Sequence, residues 1–384
     1  MSDHTRRRFS SRSLSLVAGT AVLGLAISGF LLVRALTGEE TATVATTTSA
    51  PQLVFAEFGE NADRLYLAPP ERPQERTLIE TIEHAPGWGI NPAAGAAGPL
   101  VAYTVLAPGV VPERDTPAEL WVIDLATRER TRIARDADLL VAPAFADDGA
   151  VLVYRRSAGS QQELVRVTVA GNTRSVVHAE QTAFGIFPIG YTAGGDLLFA
   201  RLSTTGTDVF SVRDGAAATP LFHASDQIAR DWRLAPDGSA VSYLAPEARG
   251  ERIVHRAHIV GVDNGQEHVL PDSGSPTGEQ YGPTWAPDGR ALTVGQEAET
   301  GDTASATVLS LAGDEPVDLA PPEQGFDVPV QWSPDGRYLA ARTFSGVNSM
   351  DAGTESAVII SIAGDRYPVT AATEVILIGW YVHA

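Results

Sequence analysis

The chain has 384 residues, no cysteine and a formal net charge of −19. The missing thiols exclude disulfides and thiolate metal sites, and the charge argues against nucleic acid, which needs a basic footprint. All 28 basic residues are arginine, and the acidic balance favours solubility and cationic partners.

Residues 13–33, SLSLVAGTAVLGLAISGFLLV, carry no charge. At about 1.5 Å rise per residue, such a run can cross a hydrocarbon core about 30 Å thick. Arg6, Arg7, Arg8 and Arg12 precede it, whereas Arg34, Glu39 and Glu40 follow. The positive-inside rule therefore puts the N-terminus in the cytoplasm and the bulk of the chain outside. Thr5-Arg6-Arg7-Arg8-Phe9 is similar to a twin-arginine export signal, with Ser10 and Ser11 in place of its closing Leu-Lys pair. Val33-Arg34-Ala35 is the best small-x-small cleavage site, but the apolar run exceeds the ~7–15 residues of a signal core. The expected organisation is a cytoplasmic tail at 1–12, a membrane anchor or uncleaved signal at 13–36, a flexible Thr-rich tether at 37–50 and a β domain over 51–384.

Within that β domain, WAPDGRALTV (285–294) and WSPDGRYLAA (332–341) nearly repeat one another. Looser copies of the turn put glycines at 98, 149, 195, 238, 289 and 336. A period of roughly 40–50 residues with strand signals is that of propeller blades. In P-D-G, proline presets φ, Asp288 or Asp335 suits the next turn position, and Gly289 or Gly336 takes the left-handed conformation. An aromatic stands four residues before the turn glycine in Trp332, Trp285, Tyr191 and Phe145. Trp88 is expected to fill that place in the first repeat and Leu234 in the fourth P-D-G-like turn. These rings are expected to pack between blades rather than to form a ligand platform.

Each repeat adds a second hairpin, as in ELWVIDLATRERTRIA (119–134) or HIVGVDNGQEHVL with its Asn264-Gly265 turn. With RLYLA (64–68) the third strands number seven, predicting an all-β, seven-bladed propeller of four-stranded antiparallel blades; six or eight blades are the alternatives. The N-terminal unit lacks a first strand, and EVILIGWYV (374–382) is a lone strand carrying Trp380. Pairing 374–382 with 52–58 would close the ring and remove both free edges.

The W-S-P-D-G-R and W-A-P-D-G-R turns resemble the TolB-like, WD40-like propeller repeats of bacterial envelope proteins, which also form the propellers of prolyl-oligopeptidase-type hydrolases. The resemblance covers about residues 51–384. It implies a fold far more than a function. The chain departs from TolB itself in its blade count, its expected anchor and the lack of a small α/β domain before the propeller.

Chemistry is sparse. A nucleophile elbow G-x-S-x-G is absent, and GSPTG (274–278) has Pro276 where serine is needed. His255 and His258, three apart on a strand, point to opposite faces. Asp263-Asn264-Gly265 reads as a hairpin turn rather than a calcium loop. No catalytic, cofactor or metal residue is assigned.

The turns after first and third strands are expected to be short, and the links after second and fourth strands long. Loops on a rigid scaffold are where binding resides. Asp226, Asp231, Asp272, Glu279, Glu297, Glu299, Asp302, Glu323, Asp327, Asp351 and Glu355 are all assigned to this loop face, suiting a basic protein partner. The expected role is a membrane-anchored, extracytoplasmic binding scaffold, sensor or accessory subunit of an envelope complex. The alternative is an exported propeller enzyme acting on a sugar, lactone or other small molecule.

Overall fold

The computed structural model describes residues 50–384, except 95–97, 114–115, 147–148, 183, 272, 274–277, 299–301, 373 and 384. The tail, the anchor and nearly all of the tether expected over 1–50 lie outside the described residues.

Everything regular among the described residues is β-strand, arranged in seven sheets. The chain opens with β1 (Gln52–Glu57), β2 (Ala62–Ala68) and β3 (Thr77–Glu83). The second blade is β4 (Asn91–Ala94), β5 (Leu100–Val105), β6 (Ala118–Asp124) and β7 (Arg130–Ala137). The third is β8 (Ala144–Phe145), β9 (Val151–Ala158), β10 (Gln161–Thr168) and β11 (Thr173–Gln181). The fourth is β12 (Ile186–Tyr191), β13 (Leu197–Ser203), β14 (Gly206–Val212) and β15 (Thr219–Ser225). The fifth is β16 (Arg230–Leu234), β17 (Ala240–Arg249), β18 (Arg252–Gly261) and β19 (Glu267–His268). The sixth holds β20 (Gln280–Trp285), β21 (Ala291–Gln296), β23 (Thr307–Ser310) and β24 (Val317–Asp318), with β22 (Thr303–Ala304) leaving it to join the next sheet. The seventh is β25 (Gly325–Trp332), β26 (Tyr338–Phe344), β27 (Glu355–Ser361) and β28 (Arg366–Pro368). Finally β29 (Val375–Tyr381) returns to β1, so the first blade reads β29-β1-β2-β3.

The closing pair is antiparallel, from Gln52 opposite Tyr381 to Glu57 opposite Val375. Neither end of the chain leaves an open edge in that blade, as the sequence led us to expect. First strands touch in an unbroken circle, from β4 through β8, β12, β16, β20, β25 and β29 back to β4. Seven apolar clusters fill the seven interfaces between neighbouring blades. The core is therefore a ring of wedges, and each wedge needs both neighbours.

The repeated rings fasten these wedges. Trp285, Trp332 and Trp380 are all buried against the preceding blade. The Trp285 indole N–H donates to the Arg233 carbonyl at 3.2 Å and that of Trp380 to the Gln331 carbonyl at 3.1 Å. Trp332 donates to Thr293 Oγ1 at 2.9 Å. A buried indole needs such a partner, and here the bond crosses a blade interface. Trp88 is a correction: it sits in the link before β4, 41% exposed, because the chain spends residues 84–90 on that connection.

The turn reading survives in atomic detail. Gly149, Gly195, Gly238, Gly289 and Gly336 have φ between 68° and 80°, the left-handed region that glycine occupies without strain. Asp288 Oδ1 accepts from Arg290 N at 2.9 Å, and Asp335 Oδ1 from Arg337 N at 3.1 Å. These aspartates are spent on holding the turn.

Connection lengths differ from expectation. After the second strand, blades three, four and five use two-residue hairpins at 159–160, 204–205 and 250–251. Long excursions are confined to 106–117, 297–306 and 345–354, with 269–279 between blades. On the opposite face the long exception is 69–76, after β2.

Removing residues 374–384 deletes Trp380 and bares the β1 edge. Loss of a buried Trp side chain alone is worth about 3–5 kcal/mol, against a total of about 5–15. The truncated chain is expected to lose its cooperative thermal transition by circular dichroism, whereas Trp380→Phe, which loses one hydrogen bond, keeps it with a lowered midpoint. A truncated chain melting like the full one contradicts the closure.

Candidate functional site

The links after second and fourth strands define one face of the disc, called here the loop face. Two of its long segments, 297–306 and 345–354, are tied to their surroundings. Residues Thr303 and Ala304 pair in parallel with Gly325 and Phe326, so a loop of the sixth blade adds a strand to the seventh. Ala298 N donates to Val347 O at 3.0 Å, tying 297–306 to 345–354. Beneath them Tyr281, Ala298 and Phe326 form a buried cluster with Ala304, Val328 and Phe344 against it. Phe326 stands 5.1 Å from Tyr281 and 5.3 Å from Phe344. Burial pushes the Tyr281 phenol above its ordinary pKa, partly countered by the hydrogen bond from Ser349 N at 3.3 Å.

The eleven acidic residues assigned to this face are not alike in the structure. Glu279, Glu297 and Asp327 are buried. Glu279 accepts from His255 N at 2.8 Å and contacts His255 Nδ1 at 3.1 Å; Glu297 faces Arg252 at 3.4 Å. Asp327 takes two bonds from Arg366, each at 2.8 Å, and one from Thr343 Oγ1 at 2.6 Å. A buried carboxylate survives only with such partners, so Glu279 and Glu297 anchor their loops and Asp327 ties strands of the seventh blade, rather than offer charge. Three are corrections as to place: Asp231, Asp327 and Glu355 lie on strands β16, β25 and β27. Glu355 is engaged by Arg342 through two bonds of 2.6 Å. Asp226, Asp302, Glu323 and Asp351 are exposed, and Asp272 and Glu299 lie outside the described residues.

His255 and His258 do diverge. His255 reaches Glu279, while His258 sits between Glu247 at 3.0 Å and Glu267 at 2.5 Å and stacks on Tyr243. Among the described residues, no group of three or more His, Asp or Glu is placed to share a metal ion.

What sequence reasoning missed is apolar. Twelve large hydrophobic residues are exposed among the described residues. Eight of them, Trp88, Val111, Leu140, Phe184, Ile228, Ile253, Val269 and Met350, lie on or beside links of the loop face. Five of these eight line two hollows. One, about 630 Å³, lies between the fourth and fifth blades and includes Phe184, Ile228, Ile253 and His255. The other, about 340 Å³, includes Trp88, Leu106 and Leu140. The signal was present in the loop strings themselves: Ile228 stands alone in HASDQIARD. A further hollow of about 780 Å³ opens on the opposite face between the P-D-G turns of the last two blades.

Beside the first hollow, His223 lies between Asp208 at 2.8 Å and Asp226 at 3.2 Å. The hydrogen bond with Asp208 raises the His223 pKa. Asp208 is held below its ordinary value, burial opposing and the bonds from His223 and Arg201 prevailing.

No protein-family model matches the chain, and no curated protein matches it. Among solved structures it is similar to TolB from Acinetobacter baumannii, with 16% identity, 72% of this chain and 64% of that one covered, and a TM-score of 0.49. A prolyl endopeptidase gives 15% identity, 84% and 49% coverage and a TM-score of 0.53. An oligogalacturonate lyase from Vibrio parahaemolyticus gives 14% identity, 84% and 88% coverage and a TM-score of 0.53. The chain thus spans less than two thirds of the first two. The shared property is the β-propeller fold, which hosts binding proteins and enzymes alike.

The pH dependence of the His223 contact follows from its sign. A raised histidine pKa contributes stability that is complete below the unfolded value of about 6.5 and fades as pH rises through the folded value. The lowered Asp208 pKa adds stability above its unfolded value that is lost on acidification. The melting-point gap between the natural chain and His223→Gln is therefore expected to be larger at pH 5.5 than at pH 8.5. An equal gap at both pH values contradicts the pairing.

Proposed function

We propose that this is a non-catalytic protein-binding propeller whose loop face is the docking surface. The observation that carries this reading is the gathering of eight of twelve exposed large hydrophobics on that face. A monomeric soluble domain rarely exposes contiguous apolar surface unless something covers it. Strand ends and two-residue hairpins supply a rigid base, and the clasped loops of the last two blades limit the ordering penalty of association. The exposed carboxylates of Asp226, Asp302, Glu323 and Asp351 stand in links of the same face and favour a partner with basic groups.

We further propose that the propeller is held at the outer side of a bacterial cytoplasmic membrane by residues 13–33, with the N-terminus inside. The support is the uncharged run and the arginines before it. An envelope complex is the setting in which such a tethered binding module would act as scaffold, sensor or accessory subunit. The fold likeness to an oligogalacturonate lyase keeps a small-molecule enzyme as the competing class, but no described cluster of side chains favours it.

A photo-crosslinking amino acid placed in the full-length chain tests the docking surface in intact membranes. Positions 184, 228 and 253 are expected to give discrete adducts that weaken as salt is raised, and position 362 on the opposite face to give none. Adducts from position 362 alone contradict the assignment. Phe184→Asp combined with Ile253→Asp should abolish the adduct formed at position 228 while leaving the melting point within a few degrees.

A further inference from the structure

The innermost strands line the axis of the disc, and they are almost without charge. Across β29, β4, β8, β12, β16, β20 and β25 the charged side chains are Arg230, Asp231, Arg233 and Asp327. Asp327 is buried and engaged by Arg366. The other three all stand on β16. Charge on the innermost strands is thus concentrated on one blade of seven.

Within β16 the arrangement is specific. Aligned on the ring position, the residue just before it is Ala93, Ala144, Gly190, Thr284, Gln331 or Gly379 in the other six blades. In the fifth blade it is Arg233. Its side chain is exposed, although the strand that carries it belongs to the innermost ring. Desolvation there holds the guanidinium below its ordinary pKa, with Asp231 opposing. Arg233 Nη1 donates to the Trp232 carbonyl at 3.0 Å. Among the described residues no carboxylate forms an ion pair with it. A guanidinium offers five N–H donors, and among the described residues only the one on Nη1 has a protein acceptor.

The backbone beside it is also held in an uncommon state. Asp231 has φ of 56°, and the equivalent place in the sixth blade is Gly282 at 50°. Both lie at the bulge that breaks the pairing of first and second strands. A smaller register shift, of one residue, falls in β12, β25 and β29. Aspartate tolerates this conformation better than most residues. Its carboxylate is partly exposed and 3.9 Å from Arg230.

We propose that the axial lumen is a binding site for a small monocarboxylate, with Arg233 gripping the carboxylate through its planar fork. This site is separate from the docking surface and does not depend on it. A guanidinium matches a carboxylate or phosphate with two parallel bonds, strengthened where water is scarce. The nearby Asp231 charge selects the singly charged ligand, because a phosphate dianion carries a second negative charge into the same lumen.

The test uses the full-length chain and titrates acetate, benzoate and inorganic phosphate against chloride at constant ionic strength, read by calorimetry and by melting point. Acetate and benzoate are expected to bind and raise the melting point. Arg233→Gln is expected to weaken them about tenfold or more, a charge-assisted bond being worth about 1.5–3 kcal/mol. Asp231→Gly keeps the backbone conformation while removing the charge, and is expected to tighten both carboxylates and admit phosphate. Arg233→Lys keeps the charge without the fork and falls between. Unaltered carboxylate binding in Arg233→Gln, tighter binding of phosphate than of benzoate to the natural chain, or no response to either carboxylate each overturn the proposal. Should Arg233→Gln fail to fold, the ordering of the natural chain, Arg233→Lys and Asp231→Gly decides alone.

Discussion

The molecule depends on one closing contact, the antiparallel pairing of β29 with β1. A propeller blade has two apolar faces and cannot bury either without a neighbour, so a ring with a gap exposes two faces and two sheet edges at once. Here the last strand supplies the innermost position of a blade whose other three strands lie more than 290 residues earlier. That separation makes closure entropically demanding. The gain is the completion of two interfaces together, with Trp380 seated in one and Tyr381 in the other. The indole bonds of Trp285, Trp332 and Trp380 then fix how neighbouring wedges register, since a buried N–H left without its acceptor is penalised.

Closure has a functional consequence through the asymmetry of the two faces. With the P-D-G side held to short turns except at 69–76, most variation is displaced to the other side. There the chain elaborates unequally: two-residue hairpins over three blades, and loops bound to one another over the last two. The parallel pairing of Thr303 and Ala304 with β25 makes the long loop of the sixth blade part of its neighbour's sheet. Glu279 and Glu297 bind His255 and Arg252 of the fifth blade, and Asp327 ties strands within the seventh. A face of this kind presents apolar groups on a stiff base, which is what binding without a large ordering penalty requires.

Blade count, closure, turn chemistry and ring positions were legible because each has a local signature: P-D-G, the period, and a first strand missing at one end and found at the other. The faces were legible only in part. Acidity along a loop does not reveal whether a carboxylate meets an arginine 39 residues away, as Asp327 meets Arg366, so the sequence could not separate structural acids from surface ones. Trp88 misled because its spacing from Gly98 resembles the others with a longer turn, whereas the chain uses that stretch to link blades. The bulges in the innermost strands were invisible as bulges, although Gly282, Pro329 and Gly379 stand within or beside them. Arg233 carried no sequence signal until its place on an innermost strand, one residue before the ring position, was known.

The claim on which all of this rests is that the ring opens as a whole and not at its seam. Amide hydrogen exchange resolved by residue measures this directly. The account predicts that Val54 and Leu377, across the closing pair, exchange as slowly as Leu198 and Val241 on the far side of the ring, all reporting one global opening. Fast exchange confined to β29 and β1, while the fourth and fifth blades stay protected, would show a ring that unlatches at its closure and would contradict it.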